Sequence, residues 1–122
     1  MLHPNIYRTE SGTEFYTPER CHITEIFNRH PNPEISIAQA RVAAGVTTAN
    51  HLLSGTAEWY YILSGYGEMF LNGASAGHVS PGTVVHIPAD TPQYIRNSGQ
   101  EDLVFLCFCV PRFQAVVYEE IQ

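Results

Sequence analysis

The chain has 122 residues, of which 44% are hydrophobic and 15% charged, and its formal net charge is −6. That length fits one domain with one core, and an acidic chain without a cluster of basic residues is a poor partner for nucleic acid or an anionic membrane. No apolar run approaches the length of a membrane span, the opening MLHPNIYRTE lacks the apolar stretch of a signal peptide, and three cysteines without scaffold spacing point to free thiols in a reducing cytoplasm.

In chain order, the first twenty or so residues show little periodicity. They are expected to wrap the rest of the fold or to swap onto a partner. ITEIF (Ile23 to Phe27) and ISIAQARV (Ile35 to Val42) alternate apolar and polar residues, with NRHPNP as the loop between them. WYYIL (Trp59 to Leu63) is aromatic and β-branched. Asn72-Gly73 is a strong hairpin signal between two further strands. TVVHI (Thr83 to Ile87) is a short apolar run, and QYIRN leads into the turn at Ser98-Gly99. LVFLCFCV (Leu103 to Val110) is continuously apolar, which predicts a strand buried on both faces. RFQAVVYEEI at the end is the one candidate for a short helix. Many short strands with frequent Gly and Pro turns predict an all-β sandwich or barrel. No glycine-rich nucleotide loop is present.

Period-two counting assigns faces. His51 and Leu53 point the same way. Glu58, Tyr60 and Ile62 share one face of their strand, and Trp59, Tyr61 and Leu63 take the other. Gln93, Ile95 and Asn97 share a face, with Arg96 opposite.

Two spaced motifs sit on these strands. Gly45, five residues, His51, one residue, Leu53, four residues, Glu58, six residues and Gly65 resemble the first motif of the cupin superfamily. In that motif a second histidine stands where this chain has Leu53. GTVVHIPADTPQYIRN resembles the second motif through Gly82, Pro88 and Asn97, with Asp90 at its second glycine and Gln93 at its histidine. The resemblance covers roughly Ser36 to Val110. It implies a double-stranded β-helix, or jelly-roll barrel, of six to eight strands with Pro88 in a turn and a short C-terminal helix or tail. The expected organisation is a single domain over 1–122: an arm and first strand over 1–30, a barrel core over 36–110 and a tail over 111–122.

The resemblance also implies a site. If the motifs pair as in cupins, His51, Glu58 and Gln93 converge inside the barrel mouth. They are the expected ligands of a loosely held divalent metal ion, Mn, Fe, Ni or Zn. Tyr60 lies one layer deeper, as phenolate ligand or general base. His86 shares a face with Val84 and is expected at the surface or between sheets. His3, His22, His30 and His78 are expected to be solvated, and Cys107 and Cys109 to share a strand face as small apolar residues. The functional expectation is a metal-dependent enzyme of dioxygenase, lyase or isomerase type acting on a small polar metabolite. The alternative is a non-catalytic binding or sensor domain, which the losses at Leu53 and Gln93 favour. Low charge and an apolar strand surface suggest a homodimer.

Overall fold

The computed structural model describes residues 3–9 and 12–121. Among them are eleven strands: β1 (Phe15–Tyr16), β2 (His22–Phe27), β3 (Ser36–Val42), β4 (His51–Leu53), β5 (Ala57–Ser64), β6 (Gly67–Leu71), β7 (Ala74–Val79), β8 (Val84–Ile87), β9 (Gln93–Asn97), β10 (Leu103–Val110) and β11 (Tyr118–Glu120). They form a six-stranded sheet in the order β1-β2-β3-β10-β5-β8 and a five-stranded sheet in the order β11-β4-β9-β6-β7. The strand pairs are antiparallel throughout. This is the double-stranded β-helix that the motifs imply. The count exceeds six to eight, and β1 and β11, only two and three residues long, supply two of the additional strands.

Alternation decides which side chains meet between the sheets. Ile62, Met69, Ile87, Ile95, Leu103 and Phe105 are each 2% exposed or less and form the core with their neighbours. β10 sits between β3 and β5, yet only one of its faces is fully buried. Leu103, Phe105 and Cys109 point inward, while Val104, Leu106 and Phe108 are half-buried and Val110 is exposed. The expected burial on both faces fails because no second layer of described residues covers the outer side of the larger sheet.

Turns follow the local chemistry. Asn72 and Gly73 both take positive φ, 54° and 78°, as a tight β6–β7 hairpin demands. Asp90, in place of the motif's glycine, also adopts positive φ, at 65°. Aspartate tolerates that region, and its Oδ1 accepts from Gly55 N at 3.0 Å. The buried Asn97 side chain donates to the Val42 and Glu101 carbonyls and accepts from Gly99 N, so this motif residue closes turns.

The C-terminal helix amounts to one 3-10 turn, Ala115–Val117, without a side-chain cap. The chain then pairs β11 with β4, Tyr118 opposite Leu53 and Glu120 opposite His51. β4 has an open edge to offer, and two adjacent β-branched valines disfavour continuing the helix. At the other end, the aperiodic arm packs on its own chain: Phe15 and Tyr16 pair with β2, and Ala49 N donates to the Glu19 carbonyl at 2.9 Å.

Gly65 and Gly55 separate two costs that a glycine can avoid. Gly65 has φ +87°, and a Cβ there would stand 2.5 Å from the Asp102 carbonyl oxygen. Gly55 has φ +67° but open space around it. Gly65→Ala is therefore expected to lose about 3 kcal/mol of stability, and Gly55→Ala about 1 kcal/mol. Urea unfolding of the two variants checks this, and equal losses would show that the contact at Gly65 is easily relieved.

Candidate functional site

Four strands bring the polar interior together. His51 on β4 pairs directly with Gln93 on β9 in the smaller sheet. In the larger sheet, Glu58 and Tyr60 of β5 stand opposite Cys109 and Cys107 of β10. Glu58, Tyr60 and Gln93 all point inward, so the two sheets meet through them. Gln93 Nε2 donates to Glu58 Oε1. Tyr60 donates its phenolic proton to Gln93 Oε1 at 2.6 Å. The exposures are 5% for His51 and Glu58, 6% for Tyr60 and 1% for Gln93.

The second oxygen of Glu58 faces β10. Cys107 Sγ lies 2.8 Å from Glu58 Oε2 and Cys109 Sγ 3.8 Å from it, with the two sulfurs 4.0 Å apart. All three cysteines are free. Cys109, burial and Glu58 together push the Cys107 thiol well above its usual range, so it is a donor to the carboxylate.

His51 is oriented by its backbone. Its Nδ1 lies 2.8 Å from the Ala49 carbonyl oxygen, which can only accept. Nδ1 therefore carries the proton, and Nε2 of the neutral ring holds the lone pair. Glu19 Oε2 stands 3.4 Å from the same Nδ1. Burial raises the Glu19 carboxyl above its usual range; His51 opposes that shift and Glu58 adds to it. A turn over Thr17 to Cys21, with Arg20 at φ 68°, holds Glu19 there. On its other side the His51 ring stacks on Tyr118 at 4.9 Å.

These groups end a cavity of about 140 Å³ whose walls include Ile23, Ile37, Leu53 and Phe113. His51, Glu58, Cys107 and Cys109 line it, with Glu19, Glu25 and Glu58 as its carboxylates and no Arg or Lys. An inner recess of about 50 Å³ reaches Tyr60. Burial and Glu58 push the Tyr60 phenol well above its usual range. As the protein stands, the phenol donates to Gln93. His86 lies on the outer face, stacked on Trp59 at 4.0 Å. His3, His30 and His78 are exposed; His22 is half-buried, 3.8 Å from Glu14.

As hydrogen-bonded here, His51, Glu58 and Gln93 do not all turn a lone pair toward one ion. His51 has its Nε2 free in the required tautomer. Gln93, however, turns its N–H₂ toward Glu58, and that group has no lone pair to give an ion. Its oxygen is engaged by Tyr60, and Leu53, 3% exposed, fills the place of the second imidazole. Two parts of the site escape sequence reasoning. Glu19 lies in the aperiodic arm, where no pattern marks it. The thiols were visible as a same-face pair, but their place beside Glu58 depends on the β5–β10 register.

The chain of donors makes a prediction. Tyr60→Phe removes one hydrogen bond and is expected to cost about 1 kcal/mol. Gln93→Leu leaves both the phenol and a carboxylate oxygen unpaired and is expected to cost about 3 kcal/mol. The double variant should cost less than the sum by about 1 kcal/mol. Strict additivity in urea unfolding would contradict a shared network.

Comparison with known proteins places this geometry. The cupin domain family model matches residues 38–109. An uncharacterized protein of Methanocaldococcus jannaschii is 36% identical over 119 residues, 93% of each chain. Among solved structures, Streptomyces Pac13 with uridine superposes with a TM-score of 0.79 at 15% identity, covering 99% of this chain and 93% of that one. Pac13 is described as a nucleoside dehydratase. A predicted oxalate decarboxylase of Thermotoga maritima gives 0.75 at 22%, with 88% and 99% covered. KdgF from Halomonas gives 0.77 at 14%, with 92% and 99% covered. At these identities the solved structures share the fold, and no helix among the described residues is long and apolar enough to cross a membrane. The family match runs from β3 into β10, through both motifs and the strands that carry Glu58 and Gln93, and by it and the archaeal relative the chain belongs to the cupin domain family.

Proposed function

We propose that this cupin binds a small polar metabolite, neutral or cationic, in the cavity and moves a proton on it, as lyases and isomerases do. The observation that carries the reading is the buried polar set at the cavity: His51 and Glu58 line it at 5% exposure each, and Gln93, 1% exposed, is bonded to Glu58 behind them. Burying such groups costs several kcal/mol unless they are partnered, and an apolar core would need none of them. His51 is the proton acceptor at Nε2. Glu19, 3.4 Å from Nδ1, helps to orient the ring. Gln93 and Tyr60 hold Glu58 in place. Tyr118, on the cavity wall, has a buried hydroxyl with no partner among the described residues, and a polar ligand would satisfy it. Three carboxylates on the walls, with no Arg or Lys among the described residues there, disfavour an anion. The fold of the Streptomyces dehydratase, solved with the neutral nucleoside uridine, is consistent with this class. The non-catalytic alternative keeps the same pocket and ligand without turnover.

A second reading keeps His51, Glu58 and Gln93 as ligands of a divalent ion. The convergence of the three and the free Nε2 of His51 favour it. The test is elemental analysis of protein purified without chelator. On this reading Glu58→Gln lowers metal content sharply, and Leu53→His tightens binding about tenfold by adding an imidazole on the same face. Unchanged content in both variants removes it.

The proposed partner in assembly is a second copy of the chain. Trp59, Tyr61, Leu63 and Val84 are 41% to 59% exposed on the outer face of the larger sheet. Light scattering at micromolar concentration is expected to give twice the 13.6 kDa chain mass. A monomer mass would contradict it.

Ligand class is tested by thermal denaturation. A ligand at 100 times its Kd adds about 2.7 kcal/mol of stability. Neutral nucleosides and polyols are expected to raise the midpoint, and oxalate and other dicarboxylates to leave it unchanged. Stabilisation by the dicarboxylates alone would overturn the assignment.

A further inference from the structure

We propose that Glu58, Cys107 and Cys109 form a site for one thiophilic metal ion, with zinc(II) as the representative. Ligand atoms of the three residues lie within 4.8 Å of one another. The separations are close to those of a zinc sphere. Zn–S bonds of about 2.3 Å and Zn–O bonds of about 2.0 Å at tetrahedral angles put two sulfurs about 3.8 Å apart and sulfur and oxygen about 3.5 Å apart. Here the sulfurs are 4.0 Å apart, and Oε2 lies 2.8 Å and 3.8 Å from them. Opening the Cys107 Sγ–Oε2 separation by about 0.7 Å, with shifts of about 0.2 to 0.3 Å in the other two, would complete the set.

The register supplies this geometry. Cys109 faces Glu58 across the β5–β10 ladder, and Cys107, two residues before it, shares its face. The ion takes the Oε2 edge of the carboxylate, so Gln93 keeps its bond to Oε1. Binding releases the two thiol protons to solvent and leaves two thiolates and a carboxylate on the cation. All three residues line the cavity, which gives an ion a way in and leaves its fourth position to a cavity ligand. Thiolate donors select zinc, cadmium or copper(I) over magnesium and calcium. The set shares only Glu58 with the ligands implied by the cupin motifs, and it does not rest on the proton-transfer reading.

The test is titration of the reduced full chain with cobalt(II), followed by absorption. One equivalent per chain is expected to produce sulfur-to-metal charge transfer in the near ultraviolet. The Cys107→Ala/Cys109→Ala variant, which retains Cys21, is expected to lose that band and to bind more than tenfold more weakly. Zinc on the unmutated chain provides a readout independent of the variant's folding. One equivalent should slow alkylation of Cys107 and Cys109 by iodoacetamide at least tenfold, as followed by peptide mass, and leave Cys21 unaffected. Cobalt bound without a sulfur band overturns the inference and favours the imidazole and carboxamide set. A band that survives in the double variant, absence of binding, or unprotected thiols also overturns it.

Discussion

A carboxylate buried away from any arginine or lysine governs the interior of this barrel. Glu58 is 5% exposed, and among the described residues no Arg or Lys lines the cavities that it borders. An isolated charge in that setting would cost several kcal/mol. The structure meets the cost with neutral donors taken from other strands. Gln93 of β9 occupies one oxygen, and Cys107 of β10 occupies the other, with Cys109 beside it. Tyr60 then fixes the orientation of Gln93. The two sheets are thus joined by a polar bridge between side chains, besides the Asn97 bond to the Val42 carbonyl.

That bridge accounts for two departures from the cupin motifs. A neutral histidine at position 93 could donate to Glu58, but an amide donates there and accepts from Tyr60 in one plane. A second imidazole at position 53 would face the same cavity, and Leu53 fills it with an apolar group instead. The remaining motif residues serve the backbone. Asn97 ties three backbone groups, Asp90 takes the positive φ of a glycine, and Gly65 leaves room for the Asp102 carbonyl. The histidine is the motif residue left with an unused nitrogen, and Glu19 stands 3.4 Å from its other one.

Much of this was legible in the sequence because alternation is a strict physical code. A residue two along a strand must share its neighbour's face, so the inward sets Glu58–Tyr60–Ile62 and Gln93–Ile95–Asn97 followed from counting. Asn72-Gly73 announced its hairpin because few other pairs accept two positive φ angles. What counting cannot supply is register between strands distant in sequence. Cys107 and Cys109 read as small apolar residues until β10 is laid against β5. Glu19 sits in a segment with no period at all and is placed by a turn and one backbone hydrogen bond to Ala49. At the C-terminus, an edge strand of the barrel outweighed a local helical pattern, which is a tertiary effect that no window of ten residues contains.

The most direct test of the account is the infrared S–H stretch of the reduced protein, which falls in a window free of other protein bands. Cys107 donating to Glu58 should give a component displaced to low frequency, and Glu58→Gln should move that component back toward the free-thiol position. A spectrum with no displaced component in the unmutated chain would contradict the hydrogen-bonded carboxylate on which the rest of the site is built.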